Sequence, residues 1–228
     1  QNYTFVGKPN NGTIELTVGA DNEYLVGNPY PSAIDSHKFI DDNSPVVGVS
    51  DTTNGELMFW SHFGGNSHYL AAYQGKYAIK TKGGAVWGPS DARVSQDTLG
   101  LSLKNLPGRY IPVGQAFFVT GYLGGQIKFN NNQRVFKRES EVNGSGNPIS
   151  VFMKSNNSKS KIKNTQEIDV RPKFRIGFNS PKINNRQLLL TIDENATDSV
   201  DWGYEAKIYE VHKDDMYWMI NNKKYVIQ

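Results

Sequence analysis

One six-residue segment, residues 27–32 (Gly-Asn-Pro-Tyr-Pro-Ser), restricts the fold of this chain more than any other stretch. Asn28 and Tyr30 each precede a proline, and a following proline disfavours the helical region for both. Each proline also fixes its own φ and lacks an N–H donor. Residues 23–26 before the segment have the pattern of a strand, and residues 33–40 after it have the spacing of a short helix. We therefore predict a rigid corner between a strand and a short helix, and we call residues 27–32 the corner segment.

Short aromatic-rich segments separated by glycine, asparagine and proline are typical of strands joined by tight turns. Residues 13–18 alternate apolar and polar, which predicts a strand with one wet face in a hairpin-like pair with residues 3–6. Residues 116–119 are continuously apolar, which predicts a strand covered on both faces. Further strands are predicted at residues 23–26, 56–63, 77–79, 126–129, 173–178, 187–192, 204–209, 217–220 and 223–227. About a dozen strands and one short helix predict an all-β fold, a two-sheet antiparallel β-sandwich that is jelly-roll-like and carries long loops.

The composition changes in residues 139–164, where glycine, serine, asparagine and lysine dominate. We interpret residues 1–228 as a single β-sandwich domain, and we place any internal boundary in this loop. Within it, residues 155–164 are predicted to form a mobile surface loop. Its lysines could contact phosphate or anionic lipid, but a solvated loop is the simpler interpretation.

The charge and cysteine content bear on the class of partner and site. With 25 basic and 22 acidic residues the net charge is +3, which gives no reason to predict a nucleic-acid partner. The chain has no cysteine, so it has neither disulfides nor thiolate metal ligands. This composition suits export and a reducing cytosol alike. No apolar run approaches the ~20 residues that cross a bilayer, so no membrane insertion is predicted.

Several segments together resemble a known family module. The main ones are residues 25–35, which contain the corner segment, residues 57–60 and residues 111–119. Shorter matches are residues 129–131 followed by Arg134, and residues 188–190 running to 196–197 and 201–206. The pattern resembles a module in large exported proteins of Bacteroidota-type bacteria, where it stands immediately before a type IX secretion sorting domain.

The resemblance implies that the chain is a fragment of a longer exported protein that is secreted or held at the cell surface. Its partner would be the type IX secretion machinery, reached through a C-terminal sorting domain that this sequence lacks. The family module occurs in adhesins, fibre-like proteins and polysaccharide-degrading enzymes alike, so the resemblance leaves the activity open.

Three tripeptides also resemble the short Asp-Ser/Thr-apolar signal for O-glycosylation in these bacteria. Their acceptor residues would be Thr52, Thr98 and Ser199. Patterns of only three residues arise by chance as well, so the signal is an independent but weak hint of export.

Aromatic and polar side chains between residues 60 and 87 form the main candidate for binding. Flat aromatic faces pack against the C–H faces of sugar rings, while amide and imidazole groups bond the hydroxyls. We therefore predict a glycan platform near His62 and Gln74, and we assign Trp60 instead to the core of its strand. The alternative is that the tyrosines only cap loops. The platform residues are Tyr69, Tyr73, Trp87, His68 and Asn66.

The acidic residues after position 192 are the candidate metal site. Oxygen-rich loops suit Ca²⁺, which takes about six to eight oxygen ligands, so a structural calcium is the predicted cofactor. The spacing differs from that of an EF-hand, and an ordinary acidic turn is the alternative. The candidate ligands are Asp193, Glu194, Asp198 and Asp201.

Catalytic patterns in the sequence are weak. The four histidines show no helical pairing, no serine lies in a Gly-x-Ser-x-Gly elbow, and no carboxylate pair stands out for glycoside hydrolysis. We therefore predict a non-catalytic structural or adhesive module of a secreted or cell-surface protein, with extracellular glycan or other surface material as its partner. A carbohydrate-binding module attached to a polysaccharide-degrading enzyme is the alternative, and a glycan-active enzyme is the third hypothesis.

Overall fold

The computed structural model describes residues 4, 6–44, 51–64, 69, 74–89, 106–137, 141–142, 163–164, 169–181 and 186–228. Within these ranges the chain consists of β-strands and one short α-helix, α1 (Ser36–Asn43), which confirms the predicted all-β class. No helix in the same ranges is long and apolar enough to cross a membrane. The strands in chain order are β1 (Ile14–Val18), β2 (Glu23–Gly27), β3 (Ala33–Asp35), β4 (Thr53–Gly64), β5 (Gln74–Lys80), β6 (Ala85–Val86), β7 (Tyr110–Ile111), β8 (Ala116–Gly121), β9 (Gly125–Phe129), β10 (Arg134–Val135), β11 (Glu141–Val142), β12 (Lys163–Asn164), β13 (Lys173–Phe178), β14 (Arg186–Thr191), β15 (Ala206–Lys207), β16 (Trp218–Ile220) and β17 (Lys223–Ile227).

Two five-stranded sheets form the body of the fold. The central sheet has the strand order β2-β8-β4-β5-β6, and its neighbouring strands are all antiparallel. The C-terminal sheet has the order β13-β14-β17-β15, with β16 also paired to β17. Smaller sheets join β1 to β9, join β3 to β10 and β7, and join β11 to β12. Two pairs depart from the predicted antiparallel pattern, because β14 runs parallel to β17 and β11 runs parallel to β12.

The central sheet is covered on both faces. Leu57 and Phe59 of β4 belong to an apolar cluster shared with α1 and with the β1–β9 ribbon. Met58, which lies between them and points the opposite way, belongs to a second cluster shared with the C-terminal sheet. Strand β8 is also covered on both faces, with Phe117 in the first cluster and Phe118 packed against the second. This confirms the prediction that residues 116–119 form a strand covered on both faces. The two sheets therefore form a sandwich, and α1 with the ribbon adds a third layer.

The corner segment joins β2 to β3, but the helix after it begins later than predicted. Residues 33–35 form a strand that pairs with β10 on one side and β7 on the other, so their backbone groups are used in a sheet. Asp35 caps the helix, because its carboxylate accepts a hydrogen bond from the His37 N–H at 3.0 Å. At the other end of α1, Asn43 donates to the Lys128 carbonyl at 3.1 Å and so ties the helix to β9.

The predicted hairpin between residues 13–18 and residues 3–6 is wrong. Strand β1 pairs over its whole length with β9, which lies far along the chain. The residues just before β1 contact the corner segment instead of turning back on the strand. Asn10 donates to the Pro29 carbonyl at 2.9 Å, and the Tyr30 hydroxyl donates to the Gly12 carbonyl at 2.6 Å.

The division of residues 1–228 into domains stays a prediction. Of the predicted boundary loop, residues 139–164, only β11 and β12 are described, and they pair with each other. The rest of the predicted mobile loop at residues 155–164 lies outside the described residues.

Candidate functional site

A cavity of about 180 Å³ lies between the central sheet and the C-terminal sheet. Strands β4, β5 and β8 line it with Met58, Tyr77 and Phe118, and the C-terminal side lines it with Ile208 and Val226. Aromatic and aliphatic side chains thus form much of its wall. Its polar and charged lining residues are Glu23, Lys76, Arg186, Tyr209 and Glu210.

Trp87 lines the same cavity and carries a polar group without a partner. Its side chain is 8 % exposed, and its buried Nε1 has no hydrogen-bond partner among the described residues. A buried N–H donor that stays unpaired costs free energy, so an acceptor bound beside it would be stabilised. Gly88 lets this segment lie against β5, because a Cβ there would be 2.4 Å from the Lys76 Cβ and 2.8 Å from the Tyr77 carbonyl oxygen.

The cations of the cavity are paired with acids of the C-terminal side. Arg186 binds Asp215 through two hydrogen bonds of 2.8 and 2.7 Å, and the two side chains are 3 % and 1 % exposed. Burial alone would raise the pKa of Asp215, but its bonds to Arg186 and to the His212 N–H lower the pKa below its usual value. Lys76 pairs with Glu210 at 2.5 Å in a more exposed position. The cavity therefore presents polar groups without a large net charge.

Tyr209 connects the cavity to a buried acid. The Tyr209 ring is 39 % exposed, but its hydroxyl donates to Glu56, which is only 2 % exposed. The other carboxylate oxygen of Glu56 accepts from the Lys207 N–H at 2.7 Å, and Asn54 donates to the Tyr209 hydroxyl at 3.2 Å. Burial raises the pKa of Glu56 to about 7 despite these bonds. Burial and the neighbouring Glu56 charge also raise the pKa of Tyr209, so this phenol stays protonated and acts as a donor.

Two further buried polar atoms lack partners in the part of the chain that the structure describes. Glu205 is 7 % exposed and Tyr225 is 1 % exposed, and neither the Glu205 Oε2 nor the Tyr225 hydroxyl has a hydrogen-bond partner among the described residues. Burial, together with the charge of Asp201, raises the pKa of Glu205 to about 7. A carboxyl in this environment is favoured in its neutral form, in which it can donate as well as accept.

One known family matches the chain over its whole length. A family model described as Domain of unknown function (DUF8693) matches residues 1–228. The chain belongs to this family. No curated protein and no solved structure matches the DUF8693 domain. Because the family description assigns no activity, the function of the cavity has to be argued from its geometry.

The raised pKa of Glu56 gives the DUF8693 domain a specific pH dependence. An acid whose pKa is raised by folding stabilises the folded state while it is protonated. For Glu56 this contribution is lost as the pH rises from 4.5, the ordinary pKa of a glutamate, to about 7, its pKa in the folded domain. Replacing Glu56 by glutamine removes the titration but keeps an acceptor for the Lys207 N–H. Over this pH range we expect the wild type to lose about 2 kcal/mol more of its free energy of unfolding than Glu56→Gln.

Urea unfolding at a series of pH values measures that difference. The variant Glu194→Gln, at an exposed position, serves as the control and should follow the wild type throughout. His37 changes the free energy of unfolding in the opposite direction. Burial lowers its pKa, so its contribution to stability rises with pH up to 6.5, the ordinary pKa of histidine. The comparison between variants cancels this contribution. Identical pH profiles for Glu56→Gln and the wild type would show that the carboxyl is not perturbed.

A second buried group of charges lies away from the cavity of the DUF8693 domain. Lys80 is 6 % exposed, and its Nζ is 3.5 Å from the Nε2 of His37 at the start of α1. Burial lowers the pKa of Lys80 to about 7. Nearby, the Arg109 guanidinium binds the Asp35 carboxylate at 2.8 Å. None of these four residues lines the cavity; their contacts join α1 to β5 and join β3 to the residue before β7.

The predicted glycan platform is only partly described. Trp87 lies in the cavity wall, whereas Tyr69 is 81 % exposed. Tyr73, His68 and Asn66 lie outside the described residues.

The prediction that Trp60 belongs to the core is wrong, because its side chain is 41 % exposed. Its indole packs against the Gly75 backbone and meets Tyr77 edge to face at 5.1 Å, so it lies on its own sheet rather than under the other one.

The predicted calcium ligands bind different partners in the structure. Asp193 accepts from Arg171 at 3.0 Å, and Asp201 accepts from the Thr197 N–H and hydroxyl, both at 2.7 Å. Glu194 and Asp198 are exposed. Among the described residues no group of three or more histidine or acidic side chains is placed to hold a metal ion. Calcium binding by this loop stays a prediction.

The three predicted glycosylation acceptors have different positions. Thr52 is 6 % exposed, so its hydroxyl is a poor acceptor in the folded domain. Ser199 is exposed, and Thr98 lies outside the described residues.

Sequence reasoning missed most of the cavity wall. Tyr77, Phe118, Arg186 and Tyr209 lie in or next to four different strands, and no local motif joins them. The signal that was present is the alternation of β4 and β5, which places Met58, Trp60, Tyr77 and Ile79 on one face of the central sheet.

Proposed function

We propose that the DUF8693 domain is a non-catalytic structural or adhesive module of a protein that type IX secretion exports to the medium or the cell surface. The proposal starts from the resemblance of the corner segment and of residues 111–119 to the module that precedes a sorting domain. Its support in the structure is the way these two segments are joined. The residues that carry the resemblance serve the architecture of the domain, as expected for a scaffold.

Asn28 is the observation that carries this proposal. Its side-chain amide donates to the carbonyls of Ser32, Ile111 and Pro112 at 2.8, 3.2 and 3.1 Å. Its carbonyl oxygen accepts from the Tyr30 N–H at 3.0 Å. Asn28 is 7 % exposed, and these bonds use its polar atoms to hold the corner segment against β7 and the residue that follows it.

Export by type IX secretion can be tested in the native host. We expect an antibody against the domain to label intact cells or to detect the protein in the medium. Disabling the type IX machinery should abolish this signal and leave the protein inside the cell. A protein that stays inside in both strains, or that reaches the surface equally in both, would overturn the assignment to this pathway.

Carbohydrate binding is the second candidate function, and the cavity favours it. Ligand sites are typically concave and mostly apolar, with a few placed polar groups. Here Tyr77 and Phe118 supply aromatic surface, Trp87 supplies an unpaired donor, and Lys76 and Glu210 supply charged groups. We propose that in this role the domain would be a carbohydrate-binding module attached to a polysaccharide-degrading enzyme, with an extracellular glycan as its partner.

A glycan array and polysaccharide turnover assays separate the hypotheses. Retention of a glycan without turnover would support the binding module. Turnover would instead support the glycan-active enzyme, for which Glu23 and Glu210 are the carboxylates that line the cavity. Absence of both would leave the structural or adhesive module.

A further inference from the structure

A continuous row of aromatic rings leads from the surface into the cavity. Trp60 is 41 % exposed and meets Tyr77 edge to face, with 5.1 Å between ring centroids. Tyr77 in turn meets Phe118 edge to face at 5.5 Å. Tyr77 and Phe118 line the cavity, so the exposed Trp60 ring is connected through them to a partly enclosed space. We call Trp60, Tyr77 and Phe118 the aromatic row.

The volume of the cavity limits what can enter it. At about 180 Å³ it is smaller than the roughly 300–1,000 Å³ of pockets that enclose drug-sized ligands. A single six-membered ring with its substituents is therefore the appropriate size. The unpaired Nε1 of Trp87 favours a ligand that carries an acceptor, and Lys76 and Glu210 are polar groups of the same lining.

A partly enclosed cavity beside an exposed ring favours binding of the end of a sugar chain. A ring in the interior of a chain carries a linkage at each end and needs a groove open at both ends, whereas a terminal ring carries one linkage and can enter a cavity with a single opening. The next ring along the chain would then lie outside the cavity. Trp60, at the outer end of the aromatic row, offers an exposed face for it.

We infer that this site recognises the end of a glycan chain, with the terminal pyranose in the cavity beside Trp87 and the adjoining ring stacked on Trp60. The inference rests on the carbohydrate-binding function proposed above and specifies its ligand class. Chain ends, rather than the interior of a polysaccharide, are the bound species.

Two variants separate the two ring positions. Trp60→Leu should weaken the binding of a disaccharide about fivefold and leave the binding of the matching methyl monosaccharide unchanged. Trp87→Phe keeps an aromatic ring but removes the N–H, so it should weaken both ligands about tenfold. Phe174→Leu, at an aromatic side chain of β13 that is 55 % exposed, is the matched control and should change neither.

The measurement is a titration of the ¹⁵N-labelled domain with methyl glycosides of glucose, galactose, mannose and N-acetylglucosamine, and with the matching di- to hexasaccharides. The indole N–H signal of Trp87 in the wild type should shift on binding, which gives a readout even if Trp87→Phe fails to fold. Affinity should rise from one ring to two and then stay level. A long polysaccharide should bind only in proportion to its chain ends.

The outcomes distinguish this inference from the function on which it rests. Binding that grows with every added ring, or equal loss of mono- and disaccharide binding in Trp60→Leu, would overturn recognition of chain ends but leave carbohydrate binding. No response of the Trp87 signal while another part of the domain responds would overturn the placement in the cavity. No binding of any sugar would overturn both and leave the structural or adhesive module.

Discussion

Replacing Arg186 by methionine is expected to lower the free energy of unfolding by about 3–5 kcal/mol. Arg186 and Asp215 are both buried, with side chains 3 % and 1 % exposed, and they share two hydrogen bonds. Methionine fills much of the space but removes the charge. The Asp215 carboxylate would then remain buried without a cation, and the Glu210 carbonyl would lose the Arg186 donor that binds it at 2.6 Å.

Urea unfolding of Arg186→Met against the wild type measures this loss. Lys128→Met is the matched control, because Lys128 pairs with Glu15 at 3.6 Å and the two side chains are 53 % and 48 % exposed. An exposed pair of this kind contributes less than about 1 kcal/mol. Similar losses in the two variants would mean that the Arg186 pair is not buried as described.

Replacing Asn28 by alanine is expected to cost about 3–4 kcal/mol. The substitution removes an NH2 group, whose two N–H donors are shared among three carbonyls, and the amide oxygen that accepts from the Tyr30 N–H. The buried Tyr30 N–H would lose its acceptor and the Ile111 carbonyl would lose this donor, whereas the Pro112 carbonyl keeps the Gln115 N–H at 3.2 Å. A buried polar group that loses its partner costs about 1–3 kcal/mol, and the first two groups account for most of the effect.

The control for Asn28→Ala is Asn22→Ala. Asn22 is exposed and donates to the Ala20 carbonyl at 3.0 Å, so its loss should cost about 0.5 kcal/mol or less. Thermal and urea unfolding of both variants provide the comparison. A small cost for Asn28→Ala would remove the structural support for the proposed scaffold role of the corner segment.

Local patterns predicted the individual elements because their causes are local. The corner segment and the strand at residues 116–119 follow from backbone restrictions or from burial on both faces. The strands predicted at residues 217–220 and 223–227 leave only Asn221 and Asn222 for the turn between them. In that turn both residues have positive φ, 48° and 62°, as a two-residue hairpin between β16 and β17 requires. Asparagine tolerates this conformation, so two adjacent asparagines between strand-like segments indicate a turn.

Pairing partners and the site could not be predicted in the same way. Strand β1 pairs with β9 rather than with its neighbour in sequence, because contacts to Tyr30 and Pro29 carry the preceding residues elsewhere. For a similar reason, Trp60 is exposed although it was predicted to lie in the core, and Trp87 is buried although it was predicted to belong to a surface platform. Both have strand-like surroundings, and only the placement of the C-terminal sheet decides which indole is covered. The cavity was missed because its wall combines strands that are distant in sequence.

The position of β17 has a consequence for the order of events during synthesis. This strand lies inside the C-terminal sheet, where it pairs with β14, β15 and β16. Ribosomes extend a chain from its N-terminus, so β14 and β15 cannot be bridged until residues 223–227 have emerged. The central sheet contains only strands that precede β13 and can pair earlier. A nascent chain would therefore complete its two five-stranded sheets one after the other.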